Sequence, residues 1–173
     1  MSDVGTITDP VFDRFLQRQL EEGMALAAAS DLLELEVYPF PPPSVVATFR
    51  CQGLVRLQNG AIAEADYFQA GIWFPPDYLR RVDPFETLRW FGPQNIWHPN
   101  ISDTMPLICV GRLAPGMPLV DILYQIFEVV TYNKYTPRED DCLNKACCGW
   151  ARQNQHRFPV DRRPLNLKTA VSR

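Results

Sequence analysis

Apolar residues recur along this chain with two distinct periods. Asp9-Pro10 places an acid at a capping position and a proline at the first helical position. Phe12, Phe15, Leu16, Leu20 and Met24 follow at three-to-four spacing, which predicts an amphipathic first helix to about Ala27. Its polar face carries Arg14, Arg18, Glu21 and Glu22. After a short apolar segment, Leu32 to Val37, the prolines at 39, 41, 42 and 43 read as a stiff spacer of polyproline character or as a ligand for proline-binding domains, the spacer being the simpler reading. From Val45 to Leu57 the text is β-rich. Asn59-Gly60 is a two-residue hairpin signal, and Ile62 to Phe74 returns as a second strand, so an antiparallel meander is expected. Phe74-Pro75-Pro76-Asp77-Tyr78 ends it, because two prolines halt ladder pairing. Ile96-Trp97 is expected to close a last strand.

The second half changes period. Leu119, Ile122, Leu123, Ile126, Phe127 and Val130 form a wide helical stripe opened by Pro118, which predicts the main core helix. Asp121 in its first turn suits the helix dipole. Thr136 to Asp141 is an acidic turn whose carboxylates are placed to cap a shorter helix starting near Leu143. From Gln155 onward Arg157, Arg162, Arg163, Lys168 and Arg173 face Asp161 alone, with prolines and little periodicity. The division is therefore a domain over residues 1–154 and a basic tail or docking segment over 155–173. The class is α+β: an N-terminal helix, an antiparallel β-meander packed on a central helix, and a C-terminal helical segment.

Bulk properties narrow the function. A chain of 173 residues suits one domain, and a formal charge of −3 offers no field to recruit nucleic acid or an anionic membrane. No segment reaches membrane-spanning length, and the opening MSDVGTITDP, with two acids and no apolar run, does not read as a leader, so a cytoplasmic protein is expected. Five cysteines are an odd number without the spacing of a disulfide scaffold. Cys142, Cys147, Cys148 and His156 lack paired zinc-ligand spacing and read as unpaired thiols, with no metal and no cofactor implied.

Candidate chemistry gathers in Ile96-Trp97-His98-Pro99-Asn100-Ile101 and, nine residues after the asparagine, Cys109. The turn-rich stretch between them lets the chain fold back and bring amide and thiol together. Taken alone, Cys109 between Ile108 and Val110 reads as a small buried hydrophobe, and His98 as a loop-stiffening imidazole.

The order of motifs alters that weighing. Phe74, Pro75, Asp77 and Tyr78 fit F-P-x-D-Y; His98, Pro99 and Asn100 follow; then Ile108-Cys109; then Asp140, Asp141, Leu143 and Asn144 fit D-D-x-L-N before a helix. In this order, over roughly Pro10 to Asn154, the chain resembles the ubiquitin-conjugating enzymes, the E2 class, whose UBC-like fold is then expected. It also departs from them. Leu79 to Asp83 are inserted before Pro84-Phe85, the segment from Cys109 to Pro115 is short, Val110-Gly111 replaces Leu-Asp, and Cys142 stands where proline is usual. These departures make the resemblance closest to prokaryotic members, which are encoded beside activating enzymes and ubiquitin-like proteins in antiphage defence operons.

The resemblance implies that Cys109 takes a ubiquitin-like protein from an activating enzyme as a thioester and passes it to a substrate lysine. It further implies that Asn100 serves the oxyanion or holds the loop, and that Asp141 orients the lysine, with Leu143 lining the approach. His98 and Pro99 are loop-structural. Arg14 and Arg18 would meet the activating enzyme, and Phe85 with the Pro115 turn would meet a ligase, although the shortened loop weakens any ligase expectation. Cys142 is a second thiol beside the site. Two rivals remain: a catalytically inactive ubiquitin-binding module of the same fold, and a cysteine hydrolase pairing Cys109 with His98.

Overall fold

A computed structural model describes residues 9–169. The opening eight residues and Arg173 of the basic segment lie outside that range. Helix α1 spans Pro10–Ala28, and Asp9 caps it, its carboxylate accepting from the N–H groups of Val11 and Phe12. The buried stripe differs from the sequence expectation at one end. Met24 is 45% exposed, whereas Gln19 and Gly23 are buried. Gln19 lies inside because its Oε1 accepts the N–H of Leu119 at 2.8 Å, and Gly23 because an added Cβ would sit 2.7 Å from the Leu119 side chain. Both departures serve one contact, that of α1 with the core helix.

The strands are β1 (Leu33–Tyr38), β2 (Ser44–Phe49), β3 (Gly53–Arg56), β4 (Ile62–Ala65), β5 (Phe68–Trp73) and β6 (Leu88–Gly92). A four-stranded antiparallel sheet runs in the order β1-β2-β5-β6, and β3 and β4 pair separately. Each long strand expected on either side of Asn59-Gly60 is therefore two strands. The breaks fall at Arg50–Gln52, where Asp161 takes the N–H of Gln52 at 2.8 Å, and at Asp66–Tyr67. The hairpin falls where expected, but its loop has three residues instead of two: Arg56 pairs with Ile62 and the Leu57 N–H reaches the Ala61 carbonyl at 2.8 Å around Gln58, Asn59 and Gly60, with Gly60 at φ 84 and the Asn59 side chain accepting from Ala61.

The proline run is a short connection rather than a spacer. Residues 39–43 join two paired strands, with Tyr38 opposite Ser44. The last strand comes earlier than expected, at β6, while Ile96 forms an isolated bridge with Val55 and Trp97 donates its N–H to the Leu54 carbonyl. A short helix, α2 (Pro84–Thr87), follows the inserted residues directly and is capped by the last of them, Asp83.

Helix α3 (Leu119–Val130) buries Leu119, Ile122, Leu123, Ile126, Phe127, Val129 and Val130. These meet Val45, Ala47, Phe49, Phe68, Ala70, Ile72 and Trp90 of the sheet. At roughly 1.5–3 kcal/mol per buried large side chain, this layer is the principal source of stability. Helix α4 (Lys145–Gln153) is capped by Asn144, whose Oδ1 accepts the Cys147 N–H at 3.0 Å; the expected caps, Asp140 and Asp141, stay out in the preceding turn.

The segment from Gln155 to Thr169 packs onto the body instead of trailing from it. Phe158 stacks on Tyr132 with centroids 4.3 Å apart, Leu165 is buried in the main core, and Asp161 is 4% exposed. Arg163 pairs with Asp161 at 2.8 Å. The boundary expected at residue 154 is thus not where packing ends. No helix among the described residues is long and apolar enough to cross a membrane.

Candidate active site

Between Asn100 and Cys109 the chain closes a tight loop. Ser102 donates its N–H to the Leu107 carbonyl, and its Oγ accepts from Thr104 and Met105. Ile101 and Ile108 then form a bridge, and the Cys109 N–H reaches the Asn100 carbonyl at 2.8 Å. The sequence expectation that amide and thiol are brought together holds for the two residues, with a correction in the atoms. Asn100 Nδ2 donates to the carbonyl oxygen of Cys109 (3.1 Å) and to Thr136 Oγ1 (3.0 Å), while Asn100 Oδ1 accepts the Thr136 N–H (2.8 Å). Every hydrogen-bonding group of this 3%-exposed carboxamide is engaged in bracing the loop.

His98 lies behind it, fully buried. Its Nδ1 accepts the Asn100 N–H at 2.9 Å, and Nε2 faces the backbone of Val129 and Lys134 without closing a hydrogen bond. Burial pushes the imidazole down to about 3, so it is neutral at physiological pH. The ring lies 4.3 Å from that of Tyr132, whose other face meets Phe158. Tyr132 occupies the left-handed region at φ 61 just past α3, a position usually given to glycine. Its ring is held from both sides, and its hydroxyl bonds to the Trp97 carbonyl. The loop carrying Asn100 therefore rests on an aromatic stack whose last layer comes from the C-terminal segment.

Pro99 supplies the second tie. Its carbonyl accepts the N–H groups of Leu143 (2.8 Å) and Asn144 (3.1 Å). Together with the Asn100–Thr136 bonds, this fixes the acidic turn at both ends against the loop. As a result Cys109, Asp141 and Leu143 line a single cleft of about 250 Å³ with Pro84, Phe85, Leu88, Ile108, Val110 and Gly111. Cys109 is half-buried there, and Asp141 is exposed, its side chain making no hydrogen bond among the described residues. Phe85, expected as a docking residue, is 54% exposed at the rim of this same cleft. Arg14 and Arg18 belong to a different cleft, with Val11, Phe15, Gln19, Glu22 and Pro118.

Lys134 was not legible as a site residue. Its Nζ donates to the Val110 carbonyl at 2.7 Å. Gly111 has φ 94, and a Cβ there would lie 2.8 Å from the same ammonium, so the lack of a side chain at 111 is matched to this lysine. Thr136, Asn100's partner, was likewise read only as part of a turn.

The other thiols are placed differently. Burial pushes Cys51 and Cys147 up to about 12. Partial burial and the neighbouring Cys148 raise Cys142, whose Sγ donates to the Glu139 carbonyl at 3.3 Å, so it stays protonated beside the site. In comparisons with known proteins, the sequence matches no family model and no curated protein.

Proposed function

We propose that this is a conjugating enzyme of UBC-like fold, which accepts a ubiquitin-like protein from an activating enzyme as a thioester on Cys109 and transfers it to a lysine amine of a protein target. The observation that carries the reading is the shared cleft. Cys109, Asp141 and Leu143 come from separate segments, and specific bonds to Pro99 and Asn100 bring them together. At about 250 Å³ the cleft falls below the roughly 300–1,000 Å³ usual for small-molecule sites, and it suits an extended glycine terminus meeting a lysine side chain.

In the first step the Cys109 thiolate attacks the carbonyl of the incoming thioester, and the activating enzyme's thiolate leaves. One thioester replaces another at little free-energy cost, and thiolates are nucleophilic enough to need no dedicated base. His98 supports this indirectly: buried, neutral and with its Nδ1 lone pair committed to Asn100, it is not available to a thiol, which weighs against a cysteine–histidine hydrolase. In the second step a neutral lysine amine attacks the Cys109 thioester, the C–S bond breaks, and an isopeptide bond forms. Asn100 acts here by holding the loop, since both its N–H bonds are already used. Asp141, with a free carboxylate on the cleft rim, orients the incoming ammonium before it loses its proton. The setting we favour is a bacterial antiphage operon that also encodes the activating enzyme and the modifier.

Single-turnover discharge tests the reading. Loaded protein is mixed with free lysine, and thioester loss is followed with time. Asp141→Ala is expected to load normally and to discharge at least tenfold more slowly. Equal discharge by the two proteins would remove Asp141 from the mechanism.

A further inference from the structure

The chain holds 14 arginines but only three lysines, Lys134, Lys145 and Lys168. On a solvated surface the two cations are close to equivalent, but they differ toward an acyl group. Lysine can shed a proton and attack, whereas the guanidinium stays protonated. A protein that carries an activated acyl group on its own cysteine gains from having few amines, so each remaining lysine calls for an explanation.

Two have one. Lys134 is half-buried, with Nζ on the Val110 carbonyl. Lys168 lies 3.5 Å from Asp31, in a corner closed by Thr169 and the Leu167 carbonyl, and neither it nor these neighbours line the cleft. Lys145 has none. It is exposed and makes no hydrogen bond or ion pair among the described residues. It also opens α4, where a cation opposes the helix dipole, so helix stability does not account for it. What distinguishes Lys145 is its place: it follows Leu143 and Asn144, the two residues pinned to Pro99, and Leu143 lines the cleft beside Cys109. Two residues span at most about 7 Å, so the Lys145 backbone starts within that distance of Leu143, a residue that lines the cleft.

We infer that Lys145 is a modification site, the intramolecular acceptor of the acyl group carried on Cys109. This rests on the thioester chemistry proposed above. The neutral Nζ attacks the thioester carbonyl carbon, the C–S bond of the tetrahedral intermediate breaks, and an amide C–N bond forms. Cys109 departs as the thiolate and recovers the proton that the amine gives up, so the step needs no further reactant. Its product is a self-labelled protein with a regenerated thiol.

The test uses the full chain and a short peptide ending in Gly-Gly as its mercaptoethanesulfonate thioester, followed by intact mass and peptide mapping. The expected result is a hydroxylamine-resistant amide on Lys145, formed at least tenfold faster than on Lys168. It should be lost in Lys145→Arg and in Cys109→Ala and retained in Cys142→Ser, which excludes a route through the neighbouring thiol. A thioester on Cys109 with Lys145 unmodified would overturn the inference and leave the proposed function standing, as would an amide on Lys145 that persists in Cys109→Ala. A Cys109 that takes no acyl group, while a free cysteine peptide in the same tube does, would overturn both.

Discussion

Asn100 and Cys109 hold each other by two bonds, the Cys109 N–H to the Asn100 carbonyl at 2.8 Å and the Asn100 carboxamide to the Cys109 carbonyl at 3.1 Å. The asparagine thus acts on the backbone of the cysteine and leaves the sulfur free. Asn100→Ala removes three side-chain bonds and leaves the Thr136 N–H without its partner. We expect a loss of roughly 2–3 kcal/mol, read as a lower urea midpoint at unchanged slope. Thr136→Ala should lose about 1 kcal/mol. An Asn100→Ala protein of native stability would show that the loop does not depend on this bracing.

The buried imidazole sets a pH dependence. His98 is depressed from its ordinary 6.5 to about 3 in the folded chain, so between those values only the unfolded chain takes up the proton. Stability is complete above about pH 6.5 and falls as the pH drops toward 3, by up to roughly 1.4 kcal/mol per pH unit from this group. Urea titrations at pH 7, 6 and 5 read it directly. His98→Asn should flatten the slope by about one proton's worth while lowering stability at pH 7, and an unchanged slope would contradict the assignment.

Lys134 and Gly111 should be energetically coupled. Gly111→Ala meets both a positive φ and the lysine ammonium at 2.8 Å, and is expected to cost more than about 1 kcal/mol. Lys134→Ala removes a charge-assisted bond to Val110 and should cost about 1–2 kcal/mol. In the double mutant the steric share disappears and the φ share remains, so the two losses should sum to more than the double mutant shows. Strict additivity would mean that the lysine moves away at no cost.

Truncation after Asn154 removes Phe158, Asp161 and Leu165 from contacts with Tyr132, the Gln52 N–H and the main core. The truncated chain should fail to give a cooperative thermal transition, and Phe158→Ala alone should lose roughly 2–4 kcal/mol. Cooperative unfolding of the truncated protein at the native midpoint would restore the view of this segment as a tail.

What could be read beforehand follows a physical division. Helix α1 with its Asp9 cap, α3 with its seven buried apolar residues and the Asn59-Gly60 turn are local patterns, and each is where periodicity or turn chemistry places it. The breaks at Arg50–Gln52 and Asp66–Tyr67 were hidden because a β-rich run looks the same whether it serves one sheet or two. The buried roles of Gln19 and Asp161 are not legible in the sequence because their partners, the Leu119 and Gln52 N–H groups, lie 100 and 109 residues away. Cys109, Asp141 and Leu143 were legible as a set through motif order alone. The double use of the Pro99 carbonyl that joins them leaves no trace in composition, since a backbone acceptor is present at every residue.

Incubation with ATP, the activating enzyme and the ubiquitin-like protein encoded beside it, followed by a non-reducing gel and intact mass, tests the central claim most directly. The account predicts an adduct of the modifier's mass that is cleaved by thiols, is absent in Cys109→Ala, and becomes a thiol-resistant ester in Cys109→Ser. A modifier that binds without forming any adduct would contradict it and leave Cys109 as a packing residue in a binding module.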